Sequence, residues 1–313
     1  KMRIGITGAS GMLGTALIDK LHTKHKIYAT SRTLGIQRSQ VKWDCFDLLR
    51  HDKLQNWLKE TQPDVVIHCA AMVNVDQCEA MSEVAENLHY GVIKVLSWQL
   101  QQAGKFLIYI STDSLFDGNK KETYTENDKP NPLNIYAKTK LAGEGLVLKI
   151  DNGLVLRTNI IGWSRDEKIS FSEWIIRGLI EKTPLHLFQD VIFSPIHVSD
   201  LSDIVSELIE KKVVGLYHVA SATPLSKYEF GLMVSDIFGL SNKNIIQSSI
   251  DDINLIADRP HNMGLSSEKL ENILNKKMPL PVQAIKKLKQ QYDNGWLSSI
   301  KCRPLKDNYH FWE

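Results

Sequence analysis

The residue types best suited to chemistry lie in two short stretches, Ser111-Thr-Asp113 and Tyr136-Ala-Lys-Thr-Lys140. Tyr136 and Lys140 are four apart, so on a helix both side chains point to one side. A free tyrosine has a pKa of about 10 and is a poor acid–base group at neutral pH. An ammonium close by stabilises its phenolate and lowers that pKa. Tyr136 then suits proton donation to a carbonyl oxygen as hydride arrives at the carbon. Thr112 follows a predicted strand, where it can hydrogen-bond and polarise the same oxygen. Such chemistry needs a hydride donor, and a site for one opens the chain.

Arg3 to Thr7 reads as a short buried strand. Gly8, Gly11 and Gly14 then recur every third residue, and Met12, Leu13, Ala16, Leu17 and Leu21 mark one apolar face of a helix. A strand that turns on glycines into a helix leaves backbone N–H groups free at the positive helix end, where phosphates sit. A side chain at these glycines would block the turn, the phosphates or the helix–strand packing. Ser10, Met12 and Leu13 complete the cradle. After the second strand, where an NAD-binding chain usually offers a carboxylate to the ribose, this chain has Ser31 and Arg32. A small hydroxyl and a guanidinium fork suit a 2′-phosphate, so NADPH is the expected cofactor and NADH a possible one. Asp44 and Cys45 follow the third strand and fall at the adenine edge. Cys69, Ala70, Ala71 and Met72 follow the fourth, small enough at the two alanines for close backbone approach. Ile110 lies on the fifth, and Lys140 is placed to hold the nicotinamide ribose. The positive ring of an oxidised nicotinamide would add to its effect on Tyr136.

Parallel strands separated by helices must position these groups. Strands are expected at Lys26–Ser31, Val41–Trp43, Asp64–Cys69, Phe106–Ser111 and Leu154–Arg157, with helices near Asp52–Glu60, Ser82–Ala103 and Asn134–Lys149. Apolar strands alternating with helices give a parallel sheet covered on both faces, with ligands beyond the strands' carboxyl ends. The second half is less regular. It offers helices at Phe171–Ile180 and Leu201–Lys211, a strand at Gly215–Ala220, and a capping box at Ser226 and Glu229 opening a helix that ends at Gly239. The fold expected is a doubly wound parallel-sheet α/β Rossmann domain with a smaller, interleaved substrate lobe. Residues 1–162 form the dinucleotide domain, with 191–220 returning to it, and 163–190 and 221–313 form the lobe.

The chain has 313 residues, 43% hydrophobic and 24% charged, which places it among globular proteins. A net charge of +2 gives no reason to invoke nucleic acid or an anionic membrane. No apolar run approaches a membrane span and no signal peptide precedes the first strand, so the cytoplasm is expected. Cys45, Cys69, Cys78 and Cys302 form no paired motif, and the histidines show no ligand spacing, so no metal site is expected.

These features together resemble an extended short-chain dehydrogenase/reductase and, within that group, the dTDP-4-dehydrorhamnose reductases. The resemblance is carried by Cys69–Glu79, Ser111–Gly118, Leu156–Asn159, Gln189–Pro195, Gly215–Ala220 and Asp258–Pro260, which span nearly the whole chain. Nucleotide-sugar dehydratases usually carry a second acid beside Asp113, where this chain has Ser114. The resemblance implies reduction of a nucleotide-linked 4-keto-6-deoxy sugar for cell-surface polysaccharide, with Tyr136 as proton donor and Lys140 as ribose anchor. It implies substrate contacts at Thr112 and Asp113, with Ser114 and Asn159 facing the sugar, and a structurally retained asparagine at Asn87. The Arg259 fork suits a diphosphate, with a plain structural role equally open. The family usually has an aromatic residue where Ser114 stands and a tryptophan where Ile160 stands. Trp163, nearby, is the candidate to replace the latter, and His197 either reaches the cleft or serves a plain structural role. These departures leave the hexose and the base open. Two alternatives remain: an epimerase that keeps NAD bound, and a non-catalytic subunit like the beta subunit of methionine adenosyltransferase, which resembles the same family. Relatives often pair through sheet-flanking helices, so a homodimer is expected.

Overall fold

The computed structural model describes residues 1–165 and 169–300, apart from the side chain of residue 299. Cys302 and the end of the chain lie outside the described residues.

Seven strands form one parallel sheet: β1 (Arg3–Thr7), β2 (Lys26–Ser31), β3 (Val41–Cys45), β4 (Val65–His68), β5 (Phe106–Thr112), β6 (Gly153–Thr158) and β7 (Gly215–Val219). Their spatial order is β3-β2-β1-β4-β5-β6-β7, the doubly wound arrangement expected from the sequence. The order reverses between β1 and β4, which opens a crevice beyond their carboxyl ends. Register aligns those ends: Thr7 pairs with His68, and Thr112 with Thr158.

Both faces of the sheet are covered, which is why β4 and β6 are buried along their whole length. On one face Leu13, Leu17 and Leu21 of α1 (Met12–Leu21) pack with Leu201, Ile204 and Leu208, against Ile4, Ile6 and Ile108. On the other, Leu54 and Trp57 of α2 (His51–Thr61) and Ile93 and Leu96 of α3 (Val92–Gln102) pack against Val66, Leu107 and Tyr109. Each fully buried apolar side chain contributes about 1.5–3 kcal/mol. The helix α4 (Ile135–Val147) begins at Asn134, whose Oδ1 accepts the Ala137 amide.

The second half builds a lobe with its own core. Its helices are α5 (Phe171–Glu181), α6 (Val198–Lys211), α7 (Lys227–Phe238), α8 (Glu268–Leu274) and α9 (Pro281–Asp293). Of these, α6 returns to cover the sheet and β7 joins it. Strand Leu185–Phe188 pairs with Ile245–Ser248, and Ile192–Phe193 pairs with Leu225–Ser226. Phe193, Phe230, Ile175 and Leu187 fill the lobe core. The capping box at Ser226 and Glu229 opens α7 as expected, and Gly239 ends it in a left-handed conformation.

Two elements differ from expectation. The single helix expected over Ser82–Ala103 is interrupted by a π turn at Asn87–Gly91 between Ser82–Glu86 and α3. The wider turn inserts a residue and turns His89 fully inward. The helix expected from Leu201 starts at Val198, because the His197 ring caps it by accepting the Ser199 amide. His197 therefore does not reach the cleft: it is fully buried, with Nε2 3.1 Å from Gln291 Oε1. No helix among the described residues is long and apolar enough to cross a membrane.

Candidate active site

The crevice at the β1/β4 reversal is lined first by the glycine turn. Gly8 has φ +66°, and a Cβ there would lie 2.6 Å from the Ala70 amide nitrogen across the crevice. Gly14 lies against Ala9, where a Cβ would stand 2.5 Å from its Cα. Only hydrogen fits at either position, so the turn can wrap tightly and bring α1 against β1. The first helical turn carries neither a side-chain cap nor an acidic residue, and Gly11 at its start is exposed. Bare amides at a positive helix end, reached over a surface that side chains cannot obstruct, fit a pyrophosphate. Ser10 and Met12 flank that turn half-buried, while Leu13 faces the core.

The next residues outward follow the sheet order. Ser31 and Cys45 are paired across β2 and β3, and Asp44 stands beside Thr30. Ser31 is buried and Arg32 exposed, so a guanidinium borders the outer end of the crevice. Cys69, Ala70, Ala71 and Met72 continue from β4, half-buried. Burial pushes the Cys69 thiol up to about 12, which makes it an inert neutral group.

Tyr136 and Lys140 share the buried side of α4, facing the end of β5. The Lys140 ammonium is 2% exposed, donates to the Ile110 carbonyl at 2.6 Å, and lies 4.0 Å above the Tyr109 ring. Burial lowers its pKa to about 7, opposed by Glu144 and Cys69. Tyr136 departs from expectation. Burial pushes its pKa up to about 12, and the nearby Thr112 hydroxyl opposes this. Tyr136 is thus held protonated, as a proton donor requires.

The hydroxyl of Thr112 connects three groups. It donates to Asp113 Oδ1 at 3.2 Å, accepts the Ser114 amide at 3.2 Å, and stands close enough to Tyr136 to lower the pKa of the phenol. Asp113 is 2% exposed; Asn159 donates to its Oδ2 at 2.7 Å and Ser114 to its Oδ1 at 3.3 Å. Burial raises the pKa of this carboxyl, opposed first by the Asn159 bond and then by Lys227. The structure thus brings together Thr112, Asp113, Ser114, Tyr136, Lys140, Ile110 and Asn159.

Two expected site residues fall elsewhere. Trp163 is a core residue of the lobe, 4% exposed, with its indole N–H on the Leu288 carbonyl and its ring stacked on Tyr292. Asn87 is exposed at the start of the π turn. His89, two residues on, does the connecting: Nε2 accepts the Met72 amide at 3.0 Å and Nδ1 lies 2.8 Å from Thr139 Oγ1, joining the post-β4 segment to α4. Arg259 forms an ion pair with Asp76 at 2.7 Å, and Asp76 also accepts the Ala257 amide, so this fork straps the lobe to the segment after β4. Lys227, at the start of α7, lies within electrostatic reach of Asp113 and had no sequence signal beyond its neighbouring capping box.

No metal centre was expected. Among the described residues, Asp190, Asp251 and His261 bring ligand atoms within 4.8 Å, but the Asp190 carboxylate already accepts Ser249 Oγ and the Ile250 amide.

The fold is of the extended short-chain dehydrogenase/reductase type, and the site carries the residue types of an oxidoreductase of that class. Residues 2–294 match the family described as RmlD substrate binding domain, and the chain belongs to that family. It is 32% identical over 293 residues to methionine adenosyltransferase 2 subunit beta of Rattus norvegicus, covering 87% of this chain and 82% of that protein. It is 28% identical over 284 residues to the probable low-salt glycan biosynthesis reductase Agl14 of Haloferax volcanii, covering 88% and 93%. Its fold matches dTDP-4-dehydrorhamnose reductase of Bacillus anthracis in complex with NADP, with TM-score 0.82 and 26% identity over 93% of this chain and 99% of that one.

Proposed function

We propose that this protein is an NADPH-dependent reductase of a nucleotide-diphosphate-linked 4-keto-6-deoxy sugar, serving cell-surface polysaccharide synthesis in the cytoplasm. The observation that carries the proposal is the Tyr136–Thr112–Asp113 chain beside Lys140. Tyr136, held protonated by burial, donates its proton to the sugar carbonyl oxygen. Thr112 holds the phenol and the carbonyl oxygen in one place, and Asp113 orients the Thr112 hydroxyl. Lys140 supplies positive potential beneath the ribose and the developing alkoxide. Gly8, Gly11 and Gly14 leave room for a pyrophosphate, and Arg32 and Ser31 favour a 2′-phosphate. When bound, NADPH supplies the hydride. Support comes also from a structural relative whose crystals contain NADP.

The test is loss of NADPH absorbance on adding dTDP-4-keto-6-deoxyhexose, with Tyr136→Phe in parallel. Rapid loss with the parent and a rate lower by about 10²–10⁴ in the variant supports the assignment. NADPH binding without turnover on any 4-keto sugar overturns it.

The identity with a methionine adenosyltransferase beta subunit favours a second reading, in which the same pocket binds cofactor within a partner complex. A stable complex with a methionine adenosyltransferase, combined with no turnover of keto sugars, would select it.

A further inference from the structure

Lys227 is placed where a lysine is poorly suited to stabilise the fold. It is the first residue of the 12-residue helix α7, so its charge meets the positive helix end. Its Nζ rests 3.6 Å from the centroid of Phe193 and 4.2 Å from that of Phe171. Those faces attract a cation, but they leave its three N–H bonds without oxygen partners. Among the described residues the Lys227 backbone N–H donates to the Val191 carbonyl at 3.0 Å, but its ammonium has neither a hydrogen bond nor an ion pair; Asp113 acts on it only at longer range. The other neighbouring cation, Arg259, is paired with Asp76.

Asp113 has the complementary vacancy. A carboxylate offers about four acceptor positions. Thr112 and Ser114 occupy Oδ1 and Asn159 occupies one side of Oδ2, which leaves one position on Oδ2 open. A group that both accepts from an ammonium and donates to a carboxylate is a hydroxyl. Because Asp113 directly follows Thr112 and their side chains touch at 3.2 Å, that hydroxyl sits one ring position from the carbonyl that Thr112 addresses.

We infer that Lys227 is a specificity-determining residue that, with Asp113, clamps a ring hydroxyl on the carbon adjacent to the keto group. The inference rests on the reductase reading. It restricts the substrate class to 4-keto sugars that retain the hydroxyl at C3.

The test compares dTDP-4-keto-6-deoxyhexose with its 3-deoxy counterpart, by kcat/KM with NADPH and by calorimetric binding in the presence of NADP+. Wild type should prefer the hydroxylated sugar by about tenfold to a hundredfold, the range of a hydrogen bond to a charged group. Lys227→Met should lose that preference by raising KM for the hydroxylated sugar alone. Lys227→Gln, which keeps a donor, should recover part of it, and both variants should match wild type in NADPH affinity and melting temperature. An equal loss on both sugars, or an unchanged preference in Lys227→Met, overturns the inference while leaving the reductase reading standing. Wild-type protein that binds NADPH but neither sugar overturns both.

Discussion

Replacing Lys140 with methionine tests whether burial governs the centre of the site. In the folded protein Lys140 is 2% exposed, and burial lowers its pKa to about 7 from its ordinary value of 10.5. The unfolded chain therefore binds more protons through the window between those values. Unfolding free energy rises with pH wherever the unfolded state binds more protons, so this lysine destabilises the free protein near neutrality and ceases to do so as pH approaches 10.5. Integrating a two-state titration between about pH 7 and about pH 9.5 gives a gain of about 3 kcal/mol. Lys140→Met lacks that titration, although it leaves the Ile110 carbonyl without its donor, a pH-independent loss of about 1–3 kcal/mol. The assay is reversible urea unfolding of cofactor-free wild type and Lys140→Met at both pH values. The difference between the proteins should shift by about 3 kcal/mol in favour of wild type at the higher pH. Parallel stabilities at the two pH values would refute the claim that desolvation dominates at Lys140.

Gly8→Ala places a methyl 2.6 Å from the Ala70 amide nitrogen at a φ of +66°, so cofactor affinity should fall by at least about tenfold in a fluorescence titration. Arg157 and Glu144 form an ion pair at 2.7 Å with side chains 3% and 1% exposed. Arg157→Met should destabilise by about 3–5 kcal/mol, read as a lower urea midpoint, because it leaves a buried carboxylate unpaired. His89→Leu removes the acceptor for the Met72 amide and the partner of Thr139. It should weaken NADPH binding and lower stability by about 1–3 kcal/mol, measured by titration and melting.

The sheet was legible because its determinants are local. Each strand is a short apolar run, Gly8 answers a left-handed turn, and Ser226 with Glu229 forms a capping box within four residues. Tyr136 and Lys140 were legible because helical spacing alone puts them on one side. What was missed depends on geometry that spacing does not encode. The π turn at Asn87–Gly91 shifts the helical phase, so that His89 and not Asn87 faces inward. Arg259 meets Asp76 across 183 positions of sequence, a pairing that local spacing does not encode. Trp163 follows a two-residue strand and faces the lobe core, a direction visible only once α9 is packed over it. The expected lowering of the Tyr136 pKa assumed an ammonium aimed at the phenol. Proximity along the helix did not reveal that burial dominates at the phenol, nor that the ammonium donates to the Ile110 carbonyl.

The central claim is that hydride reaches a sugar carbonyl held by Thr112 and Tyr136. The most direct measurement is a single turnover of dTDP-4-keto-6-deoxyhexose with NADPH deuterated at the nicotinamide C4, followed by mass analysis of the sugar. The account predicts one deuterium at sugar C4, formed with the parent protein and nearly absent with Tyr136→Phe. Unlabelled sugar recovered unchanged beside intact deuterated NADPH would contradict it.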